Sequence, residues 1–501
     1  MLNINQNILL FTCFLFANPI AAQTFSEEFK KEQANLQAEF ETFRKETKDD
    51  YESFRKKINQ EYAEALKDPW HKINIEPRIE RPVEPDPEPV VWDEDEPDDN
   101  LSPSPIIIKD VITPAPPAPP VTPVEPIVPT VSPDPVRTSI TFYGTPVKFA
   151  DHNWKGLTLS NIDEASISTA WGWLNDRNSD ATIADLLQLR DSMALPDWGY
   201  FKLVDEVARE QYKENSPEHT MIMAFILSQS GYKIRLAREG NFLNLYFESP
   251  GIFFDRGYVM TDGAKLWPYN IHNWNGGIYI SQVKFPGEQS LSVALNKTPV
   301  FKYSPAEERE VCVKNYPDVK LNVAVNKNLI NFYNDYPVAT VDNSQYSIWA
   351  NVARTPASKE IEQNVYSKLR SLVKDKSQRE ALSLLIKVAQ SFPYGYDNDI
   401  WGDDRIFWME ESWFYPFSDC EDHAINFVKM VNAVLNLKTA VVYYPGHLYS
   451  AIATTDGTLE GDYIIYNGIK YIVCDPTYFY APPGKTAPDM INSDAILIPV
   501  E

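Results

Sequence analysis

The chain has 501 residues, enough for two or three domains, and 44% of them are hydrophobic, so sizeable cores can form. Its formal net charge of −24 excludes nucleic acid as a partner, because binding phosphate groups requires a basic surface. The distribution of charge, proline and apolar residues divides the chain into six segments, which predict an α+β protein.

Residues 1–22 predict a secretory signal peptide. An apolar run, Ile8–Phe16, precedes small residues that end at Ala22, and the run is too short for a transmembrane helix. We therefore expect an exported protein, periplasmic or secreted. Cleavage would leave three cysteines, and an odd number in an exported protein implies at least one free thiol. These are Cys312, Cys420 and Cys474.

Residues 23–68 predict a charged helix with an eleven-residue aromatic repeat. Phe29, Phe40, Tyr51 and Tyr62 are each eleven positions apart. This period aligns the rings along one nearly straight seam of a helix. The seam over residues 24–67 favours self-association or docking, and an isolated salt-bridged helix is the alternative.

Residues 69–137 predict an acidic, proline-rich linker. The stretch from Pro69 to Val136 holds 19 of the 39 prolines, and between Glu76 and Asp99 eleven acids accompany two arginines. Such a composition cannot bury a core, so we expect an extended and stiff spacer.

Two globular stretches resemble each other. Tyr258–Lys265 matches Tyr463–Lys470 at an offset of 205, each with a turn dipeptide, Asp-Gly or Asn-Gly, at its centre. Ile140–Tyr143 similarly matches Ile330–Tyr333. These matches predict an internal duplication, with residues 138–276 a degenerate copy of residues 330–501. Residues 277–329 between the copies have short alternating apolar runs and predict a β-rich connector.

The second copy has an insertion of about 24 residues between Gln390 and Ser418, estimated from the change in offset between the copies. It is rich in aromatic residues, which are typical of pocket walls. Gln390, Trp413 and Tyr415 are candidates for the pocket or for an oxyanion hole. The insertion also carries four acids, which resemble a calcium loop only loosely because the closing glutamate is missing, so a solvated acidic loop is the expected structure. They are Asp397, Asp399, Asp403 and Asp404.

A buried helix begins near Cys420. Ser418 with Glu421 three residues later predicts a capping box, and the residues that follow are apolar on most faces. Cys420 then lies in the first turn, where the helix dipole favours a thiolate. The charges of Asp419, Glu421 and Asp422 oppose ionisation, so a nearby imidazolium would have to outweigh them.

An imidazole and a carboxylate follow on strands. Thr439–Tyr444 predicts a strand, and His447 opens the next one after a Pro-Gly turn. Asn467-Gly468 predicts a hairpin, with Asp475 at its far end. Adjacent strands would bring His447 and Asp475 together, so that the carboxylate orients the ring while the ring takes the thiol proton.

Each of these residues also has a structural explanation when taken singly. A helical cysteine is usually a core residue, a histidine at a strand end is usually structural, and an aspartate before proline is usually in a turn. Together, in this order, Cys420, His447 and Asp475 predict a catalytic triad. His423 is a rival base, but its position one turn after Cys420 on the same helix makes it hard to contact both thiol and acid.

The first copy has no such chemistry. Its matching positions are Asn215 or Ser216 for the thiol, Asn241 for the imidazole and Asn270 for the acid. We therefore expect a non-catalytic domain that packs against the second copy or binds a ligand.

The chain resembles the transglutaminase-like superfamily, which has a papain-like fold. The resemblance lies in the order of three features: Cys420 on a helix, His447 at the start of a strand, and Asp475-Pro-Thr after a strand. The string Asp-Cys-Glu-Asp at 419–422 also resembles the bacterial transglutaminase-like cysteine proteinases. The resemblance covers roughly residues 375–490. It implies a nucleophile at Cys420, a base at His447 and an orienting acid at Asp475.

The expected function is thus a thiol-dependent acyl transfer through a thioester, with a protein or peptide substrate and no cofactor or metal. Water would make the enzyme a protease or amidase, and an amine would make it a transglutaminase. The alternative is a non-catalytic envelope scaffold that binds a peptide or glycan. Reactivity of Cys420 distinguishes the two classes.

Overall fold

The computed structural model describes residues 51–500 except 82–89, 92–102, 117–118, 124–126, 128–135, 152–153, 178, 271–276, 456–458 and 492–494. The described chain is α+β, with mainly antiparallel sheets, as expected. The predicted signal peptide and the first half of the predicted aromatic-repeat helix lie outside the described residues. Each described helix is too short or too polar to cross a membrane.

The helices are α1 (51–65), α2 (Glu164–Asn175), α3 (Asp180–Ser192), α4 (Asp197–Arg209), α5 (Pro217–Gln229), α6 (Lys327–Asn334), α7 (Ser347–Arg354), α8 (Lys359–Ile361), which continues through a π-turn (Glu362–Tyr366) into α9 (Ser367–Val373), α10 (Gln378–Ala389), α11 (Asp397–Ile400), α12 (Met409–Phe414) and α13 (Cys420–Leu435). The strands are β1 (His71–Ile73), β2 (Ile108–Val111), β3 (Arg137–Phe142), β4 (Thr145–Ala150), β5 (Ile234–Glu239), β6 (Phe242–Glu248), β7 (Val259–Thr261), β8 (Ala264–Pro268), β9 (Ile278–Ile280), β10 (Arg309–Cys312), β11 (Lys320–Val323), β12 (Thr439–Tyr444), β13 (His447–Ala453), β14 (Tyr463–Tyr466), β15 (Ile469–Cys474) and β16 (Ala495–Pro499).

Two six-stranded sheets have the same strand order. The first runs β1-β9-β5-β6-β8-β7, and the second runs β2-β16-β12-β13-β15-β14. A buried helix packs on each sheet, α5 on β5 and β6, and α13 on β12 and β13. Ile234 and Thr439, which begin β5 and β12, are 205 positions apart, as are Phe242 and His447, which begin β6 and β13. The two sheets differ in their edge pairing, because β1 pairs antiparallel with β9 whereas β2 pairs parallel with β16.

Part of the sequence match between the copies was wrong. Ile140 to Phe142 lie in strand β3, whereas Ile330 to Tyr333 lie in helix α6, so these similar tetrapeptides have different structures. The Asp-Gly and Asn-Gly hairpins, by contrast, both form, as β7–β8 and β14–β15. Turn residues dictate local geometry, whereas four apolar residues are compatible with either helix or strand.

The expected spacer at 69–137 needs correction, because parts of it complete both sheets. β1 pairs with β9 in the first sheet and β2 pairs with β16 in the second. Val121, further along, is buried, and its carbonyl accepts a hydrogen bond from Arg190 at 2.6 Å. An exposed sheet edge offers unpaired backbone groups, so even a proline-rich segment can pair there where its prolines are absent. This belt, the described residues between 69 and 123, joins the two sheets.

The boundary of the predicted connector also shifts. Ile278–Ile280 forms β9, an inner strand of the first sheet, so the connector begins after it. The remainder contains the two-stranded β10–β11 hairpin, which agrees with the β-rich expectation.

Helix α1, the described part of the repeat helix, docks on the first sheet's helices. Tyr62 is buried with its ring 4.6 Å from that of Trp171, and Asn59 exchanges hydrogen bonds with Gln229. Arg55 forms an ion pair with Asp180. In this part of the chain the helix is therefore an intramolecular docking element rather than an isolated one.

Candidate active site

His447 and Asp475 form a buried hydrogen-bonded pair. Because β13 pairs with β15, the first residue of β13 lies beside the residue that follows β15. The Nε2 atom of His447 is 3.0 Å from Oδ2 of Asp475, and both side chains are at most 6% exposed. The other ring nitrogen, Nδ1, is buried and has no hydrogen-bond partner among the described residues. One nitrogen is thus oriented by the acid, and the other is free to take a proton.

Asp475 is held by more than the histidine. Its Oδ1 atom accepts hydrogen bonds from Thr477 N and Oγ1, both at 2.9 Å, and from Tyr478 N at 3.1 Å. Burial by itself would raise the pKa of Asp475, but the charge of His447 and these hydrogen bonds outweigh it and hold the pKa below its usual value. The carboxylate therefore stays ionised beside the ring.

Cys420 is the first residue of α13, which packs against β13. The backbone N–H of Leu448, the residue after His447, lies against the Cys420 sulfur. This contact brings the thiol near the start of β13, which carries the imidazole. Among the described residues, however, the thiol donates its hydrogen bond to Oε2 of Glu421 at 3.3 Å and not to His447. As the first residue of a helix, Cys420 also has a backbone N–H without an intrahelical acceptor, which suits an oxyanion donor.

The predicted capping box was wrong, whereas the acids oppose ionisation of the thiol as expected. Asp419 rather than Ser418 is the N-cap of α13, and it makes no side-chain cap bond. Burial raises the pKa of the Cys420 thiol well above its ordinary value, and the charges of Glu421 and Asp419 raise it further. Acids and burial together outweigh the helix dipole, so the resting thiol is protonated.

The acids around the thiol form a buried cluster. One carboxylate oxygen from each of Asp397, Asp404, Asp419 and Glu421 lies within 4.8 Å of the others. Asp397 is only 1% exposed, so the expectation of a fully solvated acidic loop was wrong for this residue. The loop after α10 folds inward instead, and the Arg405 N–H donates to Asp397 Oδ2 at 2.6 Å.

This cluster could hold a hard cation. Burial and mutual repulsion raise the pKa of Asp419 and of Glu421 well above their usual values. Oδ1 of Asp419 is buried without a hydrogen-bond partner among the described residues. Four convergent carboxylates are the donor set that Ca²⁺ prefers, and a divalent cation would neutralise charges that now repel one another. The residues therefore fit a cation, although the sequence had indicated no metal.

The three pocket candidates have different positions. Gln390 is buried, and its Nε2 donates to the carbonyls of Tyr478 and Ala481, so it anchors the loop after Asp475 instead of serving an oxyanion. Trp413 is also buried, with its ring 5.0 Å from that of Phe392. The hydroxyl of Tyr415 donates to Asn334 at 2.8 Å, away from the thiol.

His423, the rival base, is enclosed by aromatic rings. Its ring centroid lies 6.1 Å from that of Tyr394 and 6.3 Å from that of Phe479. Burial lowers the pKa of His423 to about 4, so this ring is neutral near pH 7. Of the two histidines, only His447 is paired with an acid by a hydrogen bond among the described residues.

The first sheet has no triad at the matching positions. In the first sheet, strand register pairs Phe242 with Glu239, just as it pairs His447 with Tyr444 in the second sheet. The residue that matches His447 is therefore Phe242 and not the expected Asn241. Asn241 lies in the turn, like Gly446. The same register places Asn270 where the second sheet has Asp475. The matched positions therefore carry Phe242 and Asn270, although a buried histidine–aspartate pair, His219 and Asp205 at 3.1 Å, lies elsewhere in this half of the chain.

Sequence reasoning missed the cation-compatible cluster. The available signal was the run of acids at 419–422 at the start of a helix that is otherwise apolar, because a buried helix cannot solvate them all. No family model matches the chain, and no curated protein shows significant similarity to its sequence.

Proposed function

We propose that the protein is an exported, thiol-dependent acyl-transfer enzyme that uses Cys420, His447 and Asp475. The observation that carries this proposal is the buried His447–Asp475 pair at 3.0 Å, with the second ring nitrogen unpaired and the thiol next to the Leu448 N–H. Nucleophile, base and orienting acid are the three groups that such catalysis requires. Export rests on the apolar N-terminus, residues 1–22.

In the proposed reaction, the Cys420 sulfur attacks an amide carbonyl carbon as Nδ1 of His447 takes the thiol proton. The C–S bond forms, and the carbonyl oxygen becomes an oxyanion that the Cys420 N–H stabilises. Collapse breaks the C–N bond, and the amine leaves with the proton from Nδ1. A thioester remains on Cys420. Asp475 stabilises the imidazolium between these steps.

Water or a second amine then releases the acyl group by attack on the thioester, again with His447 as the base. Water makes the enzyme a cysteine protease or amidase, and an amine makes it a transglutaminase. Both outcomes use the same three residues.

We further propose that the second sheet and α13 form a transglutaminase-like, papain-like core and that the first sheet is a degenerate copy of it. The shared strand order and the constant 205-residue offset of β5/β12 and β6/β13 support a duplication. Chance similarity of two hairpins would not extend to six strands in the same order. The copy without the triad then serves as a packing partner for the catalytic one.

The test is the rate of Cys420 alkylation by iodoacetamide against pH, in the full chain with Cys13→Ser and with Cys312→Ser, which removes the exposed thiol of the described residues. Cys474 is fully buried and serves as an internal unreactive thiol. We expect His447→Ala to slow the reaction by about 10²–10⁴-fold, the usual contribution of a general base. Equal rates with and without His447 would refute the enzyme.

The second candidate is a peptide- or glycan-binding scaffold on the same fold. The observation in its favour is the raised pKa of Cys420, because a neutral buried thiol is also what a structural cysteine has. In a scaffold, Cys420→Ser would leave function intact, and the alkylation rate would not depend on His447.

A further inference from the structure

Two residues of the belt, Val90 and Val91, pair with the chain that follows Asp475. The backbone N–H of Phe479 donates to the carbonyl of Val90 at 2.9 Å, and Val91 forms a parallel β-bridge with Phe479. On the N-terminal side of this contact, Arg81 is bound to Asp403 and Asp404. Arg81, Val90 and Val91 therefore each contact the second domain.

Phe479 follows the acid of the proposed triad closely in sequence, and its ring lies 6.3 Å from that of His423, one turn after Cys420 on α13. It follows Asp475 by four residues, and Asp475 Oδ1 holds the start of the connecting turn through Tyr478 N. The ring of Phe479 is 6.4 Å from that of Tyr394, which forms a β-bridge with Ser418, two residues before Cys420. A chain paired with Phe479 is thus near both the residues that precede Cys420 and the turn that follows Asp475.

The contact is also complementary in charge. Residues 84–97 contain seven acids and neither lysine nor arginine. The Lys314 amine lies 4.7 Å from the centre of the Phe479 ring and 5.3 Å from that of Tyr480. Lys387 Nζ donates to the Tyr480 carbonyl at 2.9 Å. Two cations therefore stand near the backbone edge with which Val90 and Val91, the two described residues of this stretch, are paired.

The segment is only lightly seated. Val90 is 40% exposed and Val91 is 63% exposed, so the backbone pairing buries little of either side chain. A backbone-paired strand with exposed side chains can be exchanged for another extended chain, which is the basis of β-strand addition.

From these contacts we infer that the backbone edge at Phe479 is the docking edge for an extended acidic polypeptide substrate. Val90–Val91 of the chain's own belt occupies this edge and acts as an autoinhibitory strand. The inference rests on the proposed function, since it places a substrate at the proposed triad. Main-chain pairing with Phe479 would align the substrate, and Lys314 and Lys387 would select acidic side chains.

The test uses a fluorescent peptide with the sequence of residues 84–97 and a scrambled peptide of the same composition. Three full-length chains are compared, all with Cys312→Ser: the parent, a chain with 84–97 replaced by Gly/Ser of equal length, and a control with the same replacement at 128–135. Affinity is measured by fluorescence anisotropy at low salt, and folding is verified by thermal unfolding.

We expect the 84–97 replacement to bind the peptide at least about tenfold more tightly than the parent, because a tethered competitor acts at roughly millimolar effective concentration. The control replacement should bind like the parent. Lys314→Glu in the 84–97 replacement should weaken binding about two- to fivefold. Bound peptide should also slow Cys420 alkylation by a bulky maleimide. Equal affinity in all three chains, or equal binding of the scrambled peptide, would overturn the inference.

A second measurement leaves the belt in place. A photoreactive side chain at Val91 of the otherwise unchanged chain should crosslink to residues 478–480, and crosslinking elsewhere would contradict the proposed seat. The His447→Ala alkylation test is run on the same chains. If the peptide binds but His447 has no effect, the docking edge stands and the acyl-transfer function fails.

Discussion

Replacing Asp475 with asparagine tests the proposed triad at nearly constant side-chain volume. In the native protein, Oδ1 accepts three hydrogen bonds, from Thr477 N, Thr477 Oγ1 and Tyr478 N, and Oδ2 is bonded to His447 Nε2. An asparagine has one acceptor oxygen and one donor NH₂ group, so it cannot satisfy both sides.

The structure decides which side the amide oxygen takes. An oxygen turned toward His447 would leave three donors facing an NH₂ group, at a cost of about 1–3 kcal/mol for each unsatisfied donor. An oxygen kept on the Thr477–Tyr478 side keeps these three bonds and only exchanges the charged bond to His447 for a neutral one, at a cost of about 1 kcal/mol. The NH₂ group therefore faces Nε2, which becomes an acceptor, and the ring proton moves to Nδ1.

A protonated Nδ1 cannot take the thiol proton. We expect Asp475→Asn to lower the free energy of unfolding by only about 1 kcal/mol but to slow Cys420 alkylation by about 10²–10⁴-fold. The assay is iodoacetamide alkylation against pH in the Cys312→Ser chain, together with denaturant unfolding.

Thr477→Val is the matched control. It removes one of the three donors, the Oγ1 hydroxyl, while leaving the bond between Asp475 and His447, so its alkylation rate should stay near that of the parent. A folded Asp475→Asn protein that reacts at the parent rate, with an unchanged pH profile, would show that the tautomer argument is wrong.

Three other predictions concern the acid cluster and the supporting backbone. Added Ca²⁺ should raise the free energy of unfolding by about 2.7 kcal/mol at a hundred times its Kd. Glu421→Gln should lose most of this gain, because Glu421 belongs to the acid cluster. Asp399→Asn, a control at an exposed acid outside the cluster, should keep the gain. Burial raises the pKa of Glu411 from 4.5 to about 7, so the contribution of Glu411 to stability is present below about pH 4.5 and is lost as pH rises to about 7. The free energy of unfolding should therefore fall by about 3 kcal/mol over this range. Glu411→Gln should remove this fall, as measured by denaturant titrations without divalent cations. Gly461→Ala should lower the free energy of unfolding in urea by about 2–4 kcal/mol, because Gly461 has a φ of +149° and an added Cβ would lie 2.3 Å from the Gly484 Cα. Gly468→Ala should cost only about 1–2 kcal/mol, because Gly468 has a φ of +75° but open space around it. An unchanged response to Ca²⁺ in Glu421→Gln would contradict the cation site. A flat stability profile from pH 4.5 to 7 would contradict the raised pKa of Glu411, and equal effects of the two glycine substitutions would contradict the steric argument.

Elements with strong local signals were predictable from the sequence. The β14–β15 hairpin follows from Asn467-Gly468, because both turn residues must adopt positive φ and do so here, at +49° and +75°. The Pro-Gly turn likewise places His447 at the first position of β13, as predicted. The His447–Asp475 pair follows from these two turns, since they set the strands that carry both residues.

Long-range features could not be read from composition. The proline-rich segment predicted a spacer, yet β1 and β2 complete both sheets because the sheet edges supply hydrogen-bond partners that the segment lacks by itself. In the same way, Asp397 and Asp404 are distant in sequence from Asp419 and Glu421, and only folding of the loop after α10 brings the four carboxylates together.

The sequence by itself determined the local frame of this protein: the α13 helix, the turns before His447 and Asp475, and the order of thiol, imidazole and acid. Only the tertiary structure decided the protonation of Cys420, since that depends on how deeply the thiol and its neighbouring acids are buried. It also decided where the belt lies, because pairing of Val90 with Phe479 joins positions hundreds of residues apart. Local backbone preferences are encoded within a few residues, whereas desolvation and strand addition depend on the whole folded chain.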